Sequence, residues 1–439
     1  MRRTPWLLAG VWTACAIAGS DSPGVRFLNF TEAQEALTAF GRTDDTSAWD
    51  AWVRNQDRDV RARIERGVED SISNLIAFGN SFTALPRLPS AESAVSASGE
   101  LVEAARSRVR AAAAALAQPS TNERLIFARN YFAGRGVPHK EIEAVLEANL
   151  ARFAVEQRGY QERLRSVPQG DPHAALVARA TLFDQRGLSV DTSLLPNFAI
   201  EDTLRAMLRK GALASGRVHS IAVIGPGLDF ADKREGYDFY PIQTIQPFAV
   251  MEAVARLGLG KLDDLQVVTF DLNPAVNAHL RRLAQRAGVG TPYVLQLPRN
   301  GAADWTPRAI AYWEHFGELI GSPVAPLAAP EGIKMRAVSV RSMYASRIEP
   351  LDLNVVGEIL DARKFDLLVA TNILVYYDRF QQALALAGIA RMMNPGGVFL
   401  SNTVLPAERP ADLEYLGRRS MSYSTGGSYG DDIVVYRRK

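Results

Sequence analysis

The stretch Ile221-Ala222-Val223-Ile224-Gly225-Pro226-Gly227-Leu228-Asp229 decides how the chain is read. Four apolar residues run directly into Gly-Pro-Gly, the pattern of a buried strand ending in a tight turn. Glycine serves where a backbone must turn sharply or approach a ligand closely. A second apolar run, Val267-Val268-Thr269-Phe270, ends in Asp271, 44 positions after Gly227. A strand, a glycine turn, a helix and a second strand capped by an acid form the connectivity of a nucleotide-type site. The glycines admit the middle of the ligand, and the carboxylate accepts from ribose hydroxyls. A glycine turn after a strand is often no more than a turn, so the downstream sequence must carry the reading.

Downstream, the alternation continues. Residues 228–240 form a long turn with Asp229, Asp232, Glu235 and Asp238 set among Phe230, Tyr237, Phe239 and Tyr240. Loops of that length in compact domains tend to bind or cover ligands. Residues 242–257 read as the first crossover helix, and Pro274 opens a second that runs to about Ala287. A third strand leads into Asp352 and Leu353. A fourth, Phe365-Asp366-Leu367-Leu368-Val369-Ala370, is followed at once by Thr371-Asn372. Pro395-Gly396-Gly397 turns into a fifth at Val398, and residues 433–436 close the chain as a late strand after a Gly/Ser/Tyr-rich hairpin. Strands alternating with helices imply an α/β fold: a parallel sheet covered on both faces. Residues 291–344 interrupt the pattern as an insertion, read as a small subdomain with a helix-like segment over 308–320. Its Trp305, Tyr312, Trp313 and His315 are core packing by default and substrate-facing as the alternative.

The 439 residues suffice for two or three domains, with 47% hydrophobic and 22% charged residues, ordinary values for a globular protein. A net charge of +2, with no basic run interleaved with aromatics, points away from nucleic acid. One cysteine excludes a disulfide framework, and five scattered histidines offer no metal-ligand spacing, so no metal is expected. Arg2 and Arg3 before the apolar residues 6–17 resemble a bacterial export signal, with cleavage after Ala18. The alternatives for 1–18 are a membrane anchor or a misassigned start. No other segment is expected to span a membrane. Residues 25–215 read as a helical N-terminal domain. Ile64, Val68, Ile72, Leu75 and Ile76 make one apolar stripe, and 101–116 contains five consecutive alanines. Residues 186–193 break that pattern and are either a linker or a strap over the site ahead. The second domain then covers 216–439.

Together these pieces resemble the class I S-adenosylmethionine (SAM)-dependent methyltransferases, with a Rossmann-like sheet over roughly 215–439. The resemblance rests on the order and spacing of the glycine turn, Asp271, Asp352, the Phe365-Asp-Leu-Leu-Val strand and Pro395-Gly396-Gly397. It implies SAM as cofactor. Gly225, Gly227 and Asp229 would lie under its methionine part; Asp271, with Leu272 and Asn273, at the ribose; Asp352 and Leu353 at the adenine; and Asn372 beside the reacting methyl. Within that superfamily, residues 365–381, with Asn372-Ile-Leu-Val-Tyr376-Tyr377-Asp378 and Gln381, resemble the chemotaxis-receptor methyltransferases. Those enzymes modify receptor glutamates and hold a tyrosine matching Tyr376 near the methyl. The implied function is methyl transfer to an acceptor left open, a protein carboxylate among the candidates, with Asn372 and Tyr376 as catalytic candidates.

Several residues depart from these patterns. Val223 stands where many methyltransferases place an acid, and Thr371 replaces the receptor enzymes' arginine before the asparagine. No match to their catalytic arginine is found in the helical part. An exported protein would meet little SAM, so a non-catalytic, repurposed fold in the cell envelope is one alternative. A nicotinamide-dependent oxidoreductase is another, against which Phe230 stands at the third glycine position of Gly-x-Gly-x-x-Gly. Gly426-Gly-Ser428-Tyr-Gly430 matches Gly-x-Ser-x-Gly, but it lies in a hairpin rather than between strand and helix.

Overall fold

The computed structural model describes residues 23–166, 187–188, 192–231, 236–403, 405, 408–427 and 429–439. In chain order its elements are β1 (Val25–Phe27), α1 (Phe30–Ala39), α2 (Thr46–Phe78), α3 (Glu103–Ala117), α4 (Glu123–Gly134), α5 (Ile142–Ser166), α6 (Leu195–Arg209), β2 (Ser220–Ile224), α7 (Gln246–Arg256), β3 (Gln266–Phe270) and α8 (Pro274–Gly288). There follow β4 (Tyr293–Asn300), α9 (Pro307–His315), β5 (Gly321–Val324), β6 (Ile333–Val340), α10 (Ser342–Ala345), β7 (Ile348–Leu351), β8 (Glu358–Leu360), β9 (Phe365–Ala370), α11 (Arg379–Met392), β10 (Met393–Ser401), β11 (Leu413–Ser422) and β12 (Gly430–Arg438). The expected export signal at 1–18 lies outside the described residues, as does half of the expected strap at 186–193. No helix among the described residues is long and apolar enough to cross a membrane.

Seven strands form the main sheet in the order β7-β3-β2-β9-β10-β12-β11. β7, β3, β2, β9 and β10 are parallel, β12 runs antiparallel to β10, and β11 antiparallel to β12. The near-continuous apolar character of β2, β3 and β9 has a direct cause: both faces of these strands are buried. Ile221, Val223, Leu367 and Val369 pack on one side with α6 and α7. Ala222, Ile224, Val268 and Leu368 pack on the other with α1, α11 and the first half of α2. The α/β expectation is met, with two differences in detail. Pro395-Gly396-Gly397 does not precede the fifth strand but lies inside it, as an irregularity between Met393 and Val398. A side chain on Gly397 would stand 2.9 Å from the Phe365 carbonyl, so glycine is what lets the two strands stay adjacent there. β11 was not anticipated as a strand; only a Gly/Ser/Tyr-rich hairpin before the last strand was read there.

Residues 291–344 fold as a three-stranded antiparallel sheet, β4-β6-β5, with α9 against it. The residues 25–215 do not form one body of their own. β1 pairs with β8, deep in the second half of the chain, and α6 packs in the sheet's core. What is separately helical is a core of α3, α4, α5 and the second half of α2, built on Val68, Ile72, Ile76, Val109, Leu150 and Phe153. α2 starts at the Asp45 side chain, which accepts from the Ala48 N–H. Its 33 residues span about 50 Å at 1.5 Å each and carry it from the sheet to the helical core.

Candidate functional site at the carboxyl edge of the sheet

The chain leaves β2 toward β3 and β7, and leaves β9 toward β10 on the opposite side. The carboxyl ends of neighbouring β2 and β9 therefore face a crevice, the place where open α/β sheets bind ligands. Three left-handed residues line it: Gly225 (φ 66°) and Gly227 (φ 63°) after β2, and Asn372 (φ 59°) after β9. Asn372 is the one non-glycine residue with positive φ among the described residues. Such a conformation is uncommon outside glycine and tends to mark turns or functional sites.

Asp271 follows β3 and fastens the turn beside it. Its carboxylate accepts from the N–H groups of Asn273 (2.8 Å) and Gly227. Burial, with a smaller push from Asp352, raises its pKa to about 7, and the two N–H donors only partly oppose this. The cap of α8 is not Asp271 but Asn273, whose side-chain oxygen accepts from the Ala275 N–H at 2.9 Å. Leu272 is buried in the core. Two buried polar atoms around the crevice, Asn273 Nδ2 and Gln246 Oε1, have no partner among the described residues. Gln246 Nε2 meanwhile donates to Thr371 Oγ1 at 2.7 Å. At Gly225 a side chain would lie 2.1 Å from Ile373 Cδ1, so this glycine serves the packing of one turn on the other.

α2 crosses this edge of the sheet. Arg61 pairs with Asp57 (2.9 Å) and with Asp352 (2.8 Å), and stands 3.6 Å from Glu358. Burial raises the pKa of Asp352, and that of Glu358 to about 7, against the pull of Arg61. Arg63 donates to the Tyr376 carbonyl at 2.8 Å. Leu353 is buried, Tyr376 is half-buried, and burial lifts the Tyr377 hydroxyl well above its usual range. Nothing in the sequence marked Arg61 or Arg63, which stand far from every motif, beside an apolar stripe.

On the other side of the crevice a polar chain runs into the sheet. Asn372 and Asn402 are joined twice: the Asn372 N–H donates to Asn402 Oδ1 (2.7 Å), and Asn402 Nδ2 donates to Asn372 Oδ1 (2.8 Å). Asn402 Nδ2 also reaches Asp431 Oδ1 (3.1 Å), and the Tyr423 hydroxyl donates to Asp431 Oδ2 (2.7 Å). Burial raises the pKa of Asp431, while these donors hold it down. Asp431 and Tyr423 went unread because they belong to the closing hairpin, far from any motif.

Asp229 takes a positioning role. It is buried and accepts from the Tyr240 hydroxyl and from Gln243 Nε2, both at 2.9 Å. Arg124 of α4 donates to the carbonyls of Asp229, Phe230 and Tyr240, tying the long loop to the helical core. Asp229 also walls a cavity of about 90 Å³ shared with Tyr240, Arg299, Trp305 and Tyr429. Of the insertion's aromatics, Trp305 therefore reaches a cavity. Tyr312 and Trp313 are core residues, and His315 lies 3.7 Å from Glu201.

No family model matches the chain, and no curated protein does. Among solved structures it is similar to the N-methyltransferase NodS from Bradyrhizobium japonicum WM9 in complex with S-adenosyl-L-homocysteine, at 14% identity and a TM-score of 0.26, over 64% of this chain and 97% of that one. It is also similar to magnesium protoporphyrin IX methyltransferase (ChlM) from Synechocystis PCC 6803 with bound SAM, at 8% identity and a TM-score of 0.27, over 73% and 100%. The glycopeptide N-methyltransferase MtfA follows at 13% identity and a TM-score of 0.27, over 62% and 99%. The fold class rests on the observed strand order.

Proposed function

We propose that this chain is an enzyme that transfers a methyl group from SAM. The observation that carries the reading is the joining of Asp271 to the N–H of Gly227 at the point where the sheet reverses its winding. The residues fit such a cofactor. Asp271 is an acceptor in a polar crevice with no cation paired to it among the described residues, and two ribose hydroxyls would favour its ionised form. Asn273 Nδ2 and Gln246 Oε1 are buried polar atoms in need of partners. In this reading Asp271, Leu272 and Asn273 hold the ribose, and Gly225, Gly227 and Asp229 frame the methionine end. Asp352 and Leu353 take the adenine, with Arg61 sharing Asp352, and Asn372 and Tyr376 flank the methyl. When bound, SAM supplies an already activated methyl on a sulfonium.

The chain's own part is alignment and exclusion of water. Asn372 is held in its left-handed pose by Asn402. A carboxylate acceptor would need no base, which is the acceptor suggested by the likeness of 365–381 to the receptor enzymes. An amine or phenol must give up a proton, and Asp431 is the carboxylate that hydrogen bonds through Asn402 link to Asn372. The nicotinamide alternative needs a helix N-terminus directly after the glycine turn. Here α7 starts only at Gln246.

Calorimetry with S-adenosylhomocysteine and NADH in parallel tests the reading. Asp271→Ala should weaken S-adenosylhomocysteine by roughly ten- to several-hundredfold, since each hydrogen bond to a charged group contributes about 1.5–3 kcal/mol. Asp271→Asn keeps an acceptor and should do less harm. A folded wild type that binds neither ligand, or an Asp271→Ala variant with unchanged affinity, would overturn it.

A further inference from the structure

Arg299 is the penultimate residue of β4 in the insertion and is only 5% exposed. Its guanidinium lies over the rings of Trp313 (5.1 Å) and Trp305 (5.8 Å). It has neither a carboxylate partner nor a hydrogen bond among the described residues, and its Nε is fully buried without a partner. The other buried arginines are treated differently. Arg108 donates to four backbone carbonyls, and Arg124 to three. Two aromatic faces favour a cation but do not replace the water it has lost, and a buried guanidinium without an acceptor is costly. A guanidinium held in this way against a cavity offers its N–H donors to an anion.

We propose that this cavity is the acceptor pocket and that Arg299 docks a carboxylate carried by the methyl acceptor. The proposal rests on the reading of the neighbouring crevice as a SAM site. The cavity is tied to the elements of that crevice by Asp229, which follows the glycine turn by two residues, and by Tyr429, whose ring stands 5.0 Å from that of Tyr423 in the Asp431 chain. At about 90 Å³ it has room for several waters, and Trp305, Tyr240 and Tyr429 give it aromatic walls. The guanidinium fork matches a planar carboxylate with two parallel N–H donors. A phosphate dianion fits less well, because among the described residues Arg299 is the one cation lining the cavity, while Asp229 and Asp304 add negative charge to its wall. A carboxylate paired with guanidinium is a poor nucleophile, so it serves as the handle and the methylated atom lies elsewhere on the acceptor.

The test titrates the full chain with sodium benzoate, phenyl phosphate and benzamide. Tryptophan fluorescence is the readout, since Trp305 and Trp313 flank the guanidinium. Affinity for S-adenosylhomocysteine is measured separately. Wild type should bind benzoate and ignore benzamide. Arg299→Met should weaken benzoate by about tenfold or more, with Arg299→Lys in between. Without ligand, Arg299→Met should raise the melting temperature, because it removes an uncompensated buried charge at similar volume. Unchanged benzoate affinity in Arg299→Met, tighter binding of phenyl phosphate than of benzoate, or a lowered melting temperature in Arg299→Met would each overturn the proposal. So would loss of S-adenosylhomocysteine affinity in that variant, which would assign Arg299 to the donor site. Failure of wild type to bind S-adenosylhomocysteine would instead remove the SAM reading, while the anion site would stand or fall on benzoate alone.

Discussion

Asp271 couples the proposed cofactor site to acid–base equilibrium. Its carboxyl is raised from 3.8 to about 7 by burial, so the folded state holds a proton that the unfolded chain releases near pH 4. An acid raised in this way favours folding below the unfolded value, and the gain is lost as pH climbs from about 4 through 7. Glu358, also raised to about 7, adds in the same sense. Melting temperature should therefore fall between pH 4.5 and 7.5 from these two groups, and Asp271→Asn should flatten that slope in parallel melts. Equal slopes in variant and wild type would refute the assignment. The same proton should compete with ribose, so affinity for S-adenosylhomocysteine should rise from pH 6 to 8. Gly225, Gly227, Asp271 and Asn372 were readable in the sequence because each directly follows an apolar strand, and a strand's end fixes where its next residues stand. Arg61, Asp431 and Arg299 were not. They reach the site from a helix, a hairpin and an insertion, and only tertiary packing says which of many similar charges arrives there.

Among the elements, α2 differs most from its sequence reading. Its apolar stripe predicted a helix packed on helices, which is true of its second half. Its first half lies on the sheet, with Trp49 and Val53 in the sheet's core and Arg61 at the crevice. Gly67 marks the change of partner. A side chain there would stand 1.9 Å from the Leu188 carbonyl, and Gly187 meets the same backbone from the other side. Glycine inside a helix is ordinarily about 1 kcal/mol worse than alanine. Here the sign should reverse: Gly67→Ala should lose about 1–3 kcal/mol through overpacking. Urea denaturation measures this directly, and a more stable variant would show that the 187–188 segment does not lie against α2. β11 was hidden for a related reason. As an edge strand it is pinned by one neighbour, so its sequence carries little of the apolar signal that marked β2, β3 and β9.

For the whole molecule, the seven-stranded sheet was foreseeable, while the continuity between its halves was not. The helical core and the two faces of the sheet share α2, and Arg124 adds a second tie by holding the loop after β2. Elements held in common make independent melting costly, because one half cannot unfold without exposing apolar surface of the other. Leu150→Ala, buried in the helical core, should lose about 2–5 kcal/mol. It should move one calorimetric transition as a whole, including the near-ultraviolet signal of tryptophans outside that core. Two separated transitions in the variant would show that the helical core melts alone.

The pairing of β1 with β8 sets a schedule for synthesis. Val25 meets Leu360, 335 positions later. At about 5–20 residues per second a ribosome needs on the order of 20–70 s to cover that interval. For that time β1 has an open edge, the kind of surface that recruits strangers. Its shortness, three residues with Arg26 at the centre, limits what it can recruit while it waits. When Glu358, Ile359 and Leu360 emerge, Arg26 gains Asp361 as a partner at 3.0 Å, and only then does β1 close.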